Sequence, residues 1–153
     1  MEIALSLNLP RDADSVPLAR HIVRNALAEV GVTEDCTHDV ELALSEACTN
    51  VLLHSGPGDE YDVRLKVDNK RCELRIVDVG LGFDAASPRR GGADDDRERG
   101  RGIGVMRALV DKVQFDSKPA AGTIVHLQKR LAYLDDSFGG RRLNETATPA
   151  AGC

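Results

Sequence analysis

The chain has 153 residues, 42% of them hydrophobic, and carries 20 Lys and Arg against 25 Asp and Glu for a net charge of −5. That length fits one globular domain with a sizeable core, not two. The acidic balance, with 3% aromatic residues and no Trp, argues against a general nucleic-acid binder, which needs clustered cations for phosphates and rings for bases.

The N-terminus lacks a positive stretch leading into an apolar core, and no run approaches the roughly 20 apolar residues of a membrane span. Cys36, Cys48, Cys72 and Cys153 form no C-x-x-C pair. The chain therefore reads as reduced, cytosolic and without a membrane contact.

In chain order, Ile3, Leu5, Leu7 and Leu9 alternate along a strand over Met1–Leu9 that Pro10 ends. Ser15 is positioned to cap a helix that tolerates Pro17 in its first turn, with Leu18, Ile22, Ala26 and Val30 as its apolar stripe up to Gly31 and Arg20 and Arg24 on its outer face. A second helix runs from about Thr33 or Asp35 to His54, burying Val40, Ala43, Leu44, Ala47, Val51 and Leu52.

The stretch SGPGD stops that helix, and two alternating runs, Tyr61–Val67 and Cys72–Val79, flank an Asp68-Asn69-Lys70 turn as a hairpin. From Phe83 to Arg101 the sequence is charged and glycine-rich with almost no apolar residue, the composition of a mobile loop. Helical spacing resumes with Ile103, Met106, Leu109 and Val110, and strands follow at Lys112–Ser117 and Thr123–Leu131. Residues 135–153 read as a disordered tail. This order predicts an α+β fold in which helices pack on one face of a mixed, largely antiparallel sheet.

Three groups of residues point to chemistry. Glu46, Asn50 and His54 recur every four residues, so they form a polar stripe on one face of the second helix. Glu and Asn also populate ordinary solvated faces, and His54 can serve simply as a cation at the helix C-terminus.

Asp78-Val79-Gly80-Leu81-Gly82 follows a strand. An Asp there can merely start a turn, or it can accept a hydrogen bond from an exocyclic amine while Gly80 and Gly82 let backbone approach a flat base. Gly100, Gly102 and Gly104 alternate at the start of a helix, where exposed N–H groups make a cradle for phosphates; the alternative is a plain flexible link. Gly80 to Ala85 matches G-x-G-x-x-A, but Pro88, Gly91 and Gly92 remove the helix a dinucleotide fingerprint requires. There is no Walker loop and no zinc-ligand spacing.

Together, E-A-C-T-N on a helix, D-V-G-L-G after a strand and G-R-G-I-G-V-M opening a later helix resemble the histidine-kinase-like (GHKL) ATPase superfamily over about Asp39–Leu131. The segments LALSEACTNVLLHS and GRGIGVMRALVDKV look more closely like the anti-sigma factor serine kinases of bacterial partner switching. The resemblance implies a two-layer α/β sandwich of the Bergerat type over residues 1–134, with 83–101 as an ATP lid.

It also implies roles residue by residue. Asn50 matches the ligand of the Mg²⁺ that bridges the ATP phosphates, and Glu46 the general base for the attacking hydroxyl. Asp78 matches the residue that binds the adenine amino group, with Gly80 and Gly82 shaping the base pocket. Gly100, Gly102 and Gly104 match lid hinge and phosphate contacts, and Thr123 a hydroxyl near adenine. Asp94, Asp95 and Asp96 depart from the pattern by placing negative charge in the lid, which contains no Lys between Phe83 and Gly104, so Arg101 is the candidate lid cation.

The implied activity is that of an ATP- and Mg²⁺-dependent Ser/Thr kinase that phosphorylates an anti-anti-sigma (STAS-domain) protein and sequesters a sigma factor. Arg20 and Arg24 are candidate partner contacts, and a homodimer is implied by the resemblance. Two alternatives remain: a nucleotide-gated anti-sigma module without kinase activity, and a detached sensor-kinase ATPase domain, for which no dimerisation helix with a phosphoacceptor His precedes.

Overall fold

In the computed structural model the described residues are 1–54, 59–78, 102–118 and 122–147. The elements are β1 (Glu2–Pro10), α1 (Ser15–Val30), α2 (Glu34–His54), β2 (Glu60–Asp68), β3 (Arg71–Asp78), α3 (102–109), β4 (Lys112–Lys118), β5 (Gly122–Arg130) and α4 (Phe138–Ala147). The strands form one sheet in the order β1-β2-β3-β5-β4, and the four helices pack as the second layer of an α/β sandwich.

All four strand pairings among the described residues are antiparallel, in keeping with the largely antiparallel sheet that the sequence predicts. The connections explain this. Two helices separate β1 from β2, so the chain returns in the opposite direction. β3 and β4 run the same way, but β5 lies between them, and their parallel relation never becomes a pairing.

Alternation sets the two faces. Val63, Leu65, Val67, Leu74, Ile76, Val125 and Leu127 are buried under the helices, while Arg64, Lys66 and Arg75 point to the open face. Val40, Ala43, Leu44, Ala47 and Val51 complete the core from α2 as the periodicity predicts.

On α1 the stripe is rotated from the predicted one. Ser15, Ala19, Val23, Leu27 and Val30 are buried, and Leu18 is 49% exposed. Two overlapping apolar rows fit one amphipathic helix, and docking against α2 selects the row one residue on. The N-cap is Asp14, without a side-chain cap bond, so Ser15 is not the cap. Its hydroxyl instead donates to Asp12 O (2.6 Å) and meets Tyr61 Oη (2.5 Å).

The C-terminal segment also departs from expectation, since residues 138–147 form α4 where a disordered tail is predicted. Tyr133 Oη donates to Asp68 O (2.6 Å) and Leu134 N–H to Gly31 O (2.8 Å), which bring this segment back over the domain. Gly139 and Gly140 permit the contact: a Cβ would lie 2.2 Å from the Tyr133 ring at the first and 2.0 Å from Leu134 O at the second. Read locally, two adjacent glycines disfavour a helix; here their lack of side chains is what admits one.

Candidate active site

The site begins on α2. Glu46 and Asn50 are half-buried on one helical face, and Gly102, buried at the start of α3, lies directly over both. A Cβ on Gly102 would come within 3.3 Å of both Asn50 amide atoms and 3.4 Å of Glu46 Oε2. The glycine therefore allows the positive end of α3 to approach the two polar side chains closely. Around Gly104, two residues on and so on the opposite side of the helix, nothing lies within 4 Å of a Cβ position.

α3 is held in place from its other end. Met106 is fully buried, Lys129 Nζ donates to Leu109 O (2.8 Å) and pairs with Asp39 of α2 (3.2 Å), and Asp111 N–H donates to Gln128 O (2.9 Å). These contacts tie α2, α3 and β5 into one frame. Its geometry sets how Gly102 meets Asn50.

The second part of the site lies where β3 ends. Strand register puts Tyr61, Asp78 and Thr123 side by side on the helix-facing side of the sheet, with Asp78 and Thr123 directly paired. Asp78 is completely buried and Thr123 nearly so. A carboxylate with no solvent exposure is unusual unless cations or hydrogen-bond donors meet it.

Arg11, which the sequence reading missed, supplies a cation. Its side chain is 10% exposed; Nη2 donates to Val51 O (3.1 Å) and Leu52 O (3.3 Å), and Nη1 stands 4.0 Å from Asp78 Oδ2. It thus joins the end of the helix that carries Glu46 and Asn50 to the carboxylate on β3. No local signal marks it, because β1 ends at Pro10 and its alternation does not extend to position 11.

Behind Asp78 the interior is held neutral. Burial pushes the Tyr61 hydroxyl up to about 12, with the bond to Ser15 opposing and Cys48 adding to the effect. Burial likewise pushes the Cys48 thiol up to about 12. Cys48, in the middle of E-A-C-T-N, is therefore a packing residue and no nucleophile.

The structure brings Glu46, Asn50 and Gly102 together, and places Asp78 beside Thr123. Gly80, Gly82, Gly100 and Arg101 lie outside the described residues, as do the lid 83–101 and the side chain of His54. Of the two candidate partner cations, Arg24 is engaged with Glu34 (3.3 Å) and Glu41 (3.8 Å) of α2, and Arg20 is half-buried.

The residues fit a Mg²⁺-nucleotide. Asn50 Nδ2 is buried without a hydrogen-bond partner among the described residues, in the space that Gly102 keeps clear of a side chain. Among the described residues no three His, Cys, Asp or Glu side chains converge as an all-protein metal cage. Mg²⁺ commonly takes one or two protein oxygens and completes its shell with phosphates and water, so a single Asn oxygen suits it.

This fold and site define a histidine kinase-like ATPase domain, and the sequence profile of that family, Histidine kinase-like ATPase domain, matches residues 9–129. The chain belongs to this family. Within it the chain is similar to the anti-sigma F factor of Clostridium acetobutylicum (24% identity, 89% of this chain and 99% of the relative), the anti-sigma F factor of Bacillus licheniformis (30%, 74% and 83%) and the serine-protein kinase RsbW of Bacillus velezensis (28%, 83% and 85%). The fold is shared with the crystal structure of the RsbU and RsbW domains of a Mycobacterium tuberculosis protein, at a TM-score of 0.64 and 20% identity over 84% of this chain and 32% of that longer one. Among the described residues no helix is long and apolar enough to cross a membrane.

Proposed function

We propose that the protein is a cytoplasmic, homodimeric anti-sigma factor that uses Mg²⁺-ATP to phosphorylate a Ser or Thr of an anti-anti-sigma protein and holds a sigma factor when that partner is phosphorylated. The observation that carries this reading is the convergence of Glu46, Asn50 and Gly102 at the junction of α2 and α3. The names of the relatives, anti-sigma F factor and serine-protein kinase, support a sigma factor and a protein hydroxyl as its targets.

In this reading Asp78 accepts a hydrogen bond from the adenine amine, with Thr123 beside it on β5. Asn50 would hold the Mg²⁺ through its amide oxygen, and the ion would supply positive charge against the phosphates. Glu46 accepts the proton of the acceptor hydroxyl on its carboxylate as the oxygen bonds to the γ-phosphorus and the bond to ADP breaks. The amide end of α3 at Gly102 faces the same space with its partial positive charge.

The test uses Glu46→Gln, which keeps the size and hydrogen-bonding capacity of the side chain but not its basicity. Tagged wild type and variant are incubated with Mg²⁺-ATP and with partners captured from source cells, and phosphosites are mapped by mass spectrometry. Mg²⁺-ATP affinity is retained in the variant while phosphotransfer falls by about 10²–10⁴-fold. Undiminished transfer removes Glu46 as the base. Specific partners with no phosphosite in wild type leave a nucleotide-gated binding module.

A further inference from the structure

Arg11 occupies an expensive position for a charged residue. A guanidinium that is nine-tenths buried must be matched by acceptors, and both ends of its fork are matched to parts of the site. Val51 O and Leu52 O belong to the last turn of α2, where carbonyls lack partners inside the helix and the dipole favours a cation. The residue's own N–H donates to Asp59 O (2.9 Å), which pins the backbone from which the side chain extends.

Capping alone occupies Nη2. The opposite nitrogen, Nη1, stands 4.0 Å from Asp78 Oδ2, and the planar, rigid fork turns any fixed position of one nitrogen into a fixed position of the other. The orientation of the buried Asp78 carboxylate is thereby referred to the end of α2.

A charged carboxylate only accepts hydrogen bonds, whereas its protonated form also donates. Adenine presents an amine at the edge that Asp78 would read, and guanine presents a carbonyl oxygen there. A carboxylate oxygen held at that edge accepts from the amine of the first base and meets the carbonyl of the second with no hydrogen bond.

We propose that Arg11 is a positioning residue that sets the preference of this site for adenine over guanine nucleotides, by tying the placement of the buried Asp78 carboxylate to the end of α2. The inference rests on the nucleotide reading given above. It is distinct from that reading because a nucleotide site can exist with Arg11 acting only as a helix cap.

Two substitutions separate these roles in the full-length protein. Arg11→Gln removes the charge and, being two bonds shorter, the reach to the Val51 and Leu52 carbonyls, whereas Arg11→Lys keeps the charge and most of the reach but loses the fork. Affinities for Mg²⁺-ATP and Mg²⁺-GTP are measured by calorimetry, alongside the melting temperature of the nucleotide-free protein.

Wild type prefers ATP by roughly 100-fold or more, as a site with buried polar recognition of the base should. In Arg11→Gln the ratio falls about tenfold or more while the protein still melts cooperatively, and in Arg11→Lys it falls by a smaller factor. A folded Arg11→Gln with the wild-type ratio shows that Arg11 only caps α2 and overturns the inference. If Arg11→Gln does not fold, Arg11→Lys decides, because an unchanged ratio there overturns the requirement for the fork. Failure of wild type to bind ATP, or to prefer it, overturns the nucleotide reading itself together with this inference.

Discussion

Gly102→Ala separates the stability of the fold from the working of the site. Its Cβ would lie 3.3 Å from Asn50 Nδ2 and Oδ1 and 3.4 Å from Glu46 Oε2, against the 3.5–4.0 Å of a relaxed nonbonded contact. The two side chains must therefore withdraw by about 0.3 Å. In a helix interior alanine is favoured over glycine by about 0.8–1.0 kcal/mol, and the first residue of α3 realises part of that. Crowding removes part of that gain, so the melting temperature stays level or rises by about 2–4 °C.

The site responds in the opposite direction. A misplacement of about 1 Å can cost 10²-fold in rate, so 0.3 Å on a logarithmic scale corresponds to about fourfold. Calorimetric Mg²⁺-ATP affinity and phosphotransfer to the captured acceptor should both fall by about that factor while the apoprotein melts no earlier. Gly104→Ala is the comparison for stability, since open space surrounds its Cβ position and it brings a propensity gain without moving Asn50. Full affinity and transfer in Gly102→Ala refute the need for this close approach, and a loss of more than about 1 kcal/mol in the apoprotein shows that the glycine serves the fold.

Two further predictions concern the frame of the domain. Burial raises the Asp68 carboxyl, but the N–H groups of Lys70 (2.8 Å) and Arg71 (2.9 Å), with the charges of Arg71 and Lys66, outweigh it and leave Asp68 below its ordinary value. An unfolded Asp titrates near 3.9, so this contribution is present above about pH 4 and is lost as pH falls through the lower folded value. Asp68→Asn should melt below wild type at pH 7, with the difference closing toward pH 3; a constant difference across that range contradicts the assignment. Gly31→Ala places a Cβ 1.8 Å from Ser137 Cβ at φ +90°, so urea unfolding should show a loss of more than about 2 kcal/mol. A loss below about 0.5 kcal/mol means that α4 and its approach yield easily.

The polar stripe of α2 shows why part of the site was readable. Glu46 and Asn50 stand four residues apart, and helical geometry alone puts them on one face. The alternation in Tyr61–Val67 and Cys72–Val79 likewise determines a hairpin, and the register then places Asp78 at its end. These are short-range consequences of backbone periods, so they survive without knowledge of the rest of the chain.

Arg11, Leu18 and α4 show what was not readable. Nothing local says that the Arg11 fork spans from the last turn of α2 to Asp78, because those partners are 40 and more residues away in sequence. Which of two apolar rows α1 buries, and whether two glycines break a helix or admit one, depends on the surface that docks against them. The order of residues determined the strands, the amphipathic helices and the spacing of Glu46 and Asn50. Only tertiary packing decided that Gly102 closes on that pair and that a buried cation faces Asp78, because contacts between distant segments depend on how whole elements exclude water together.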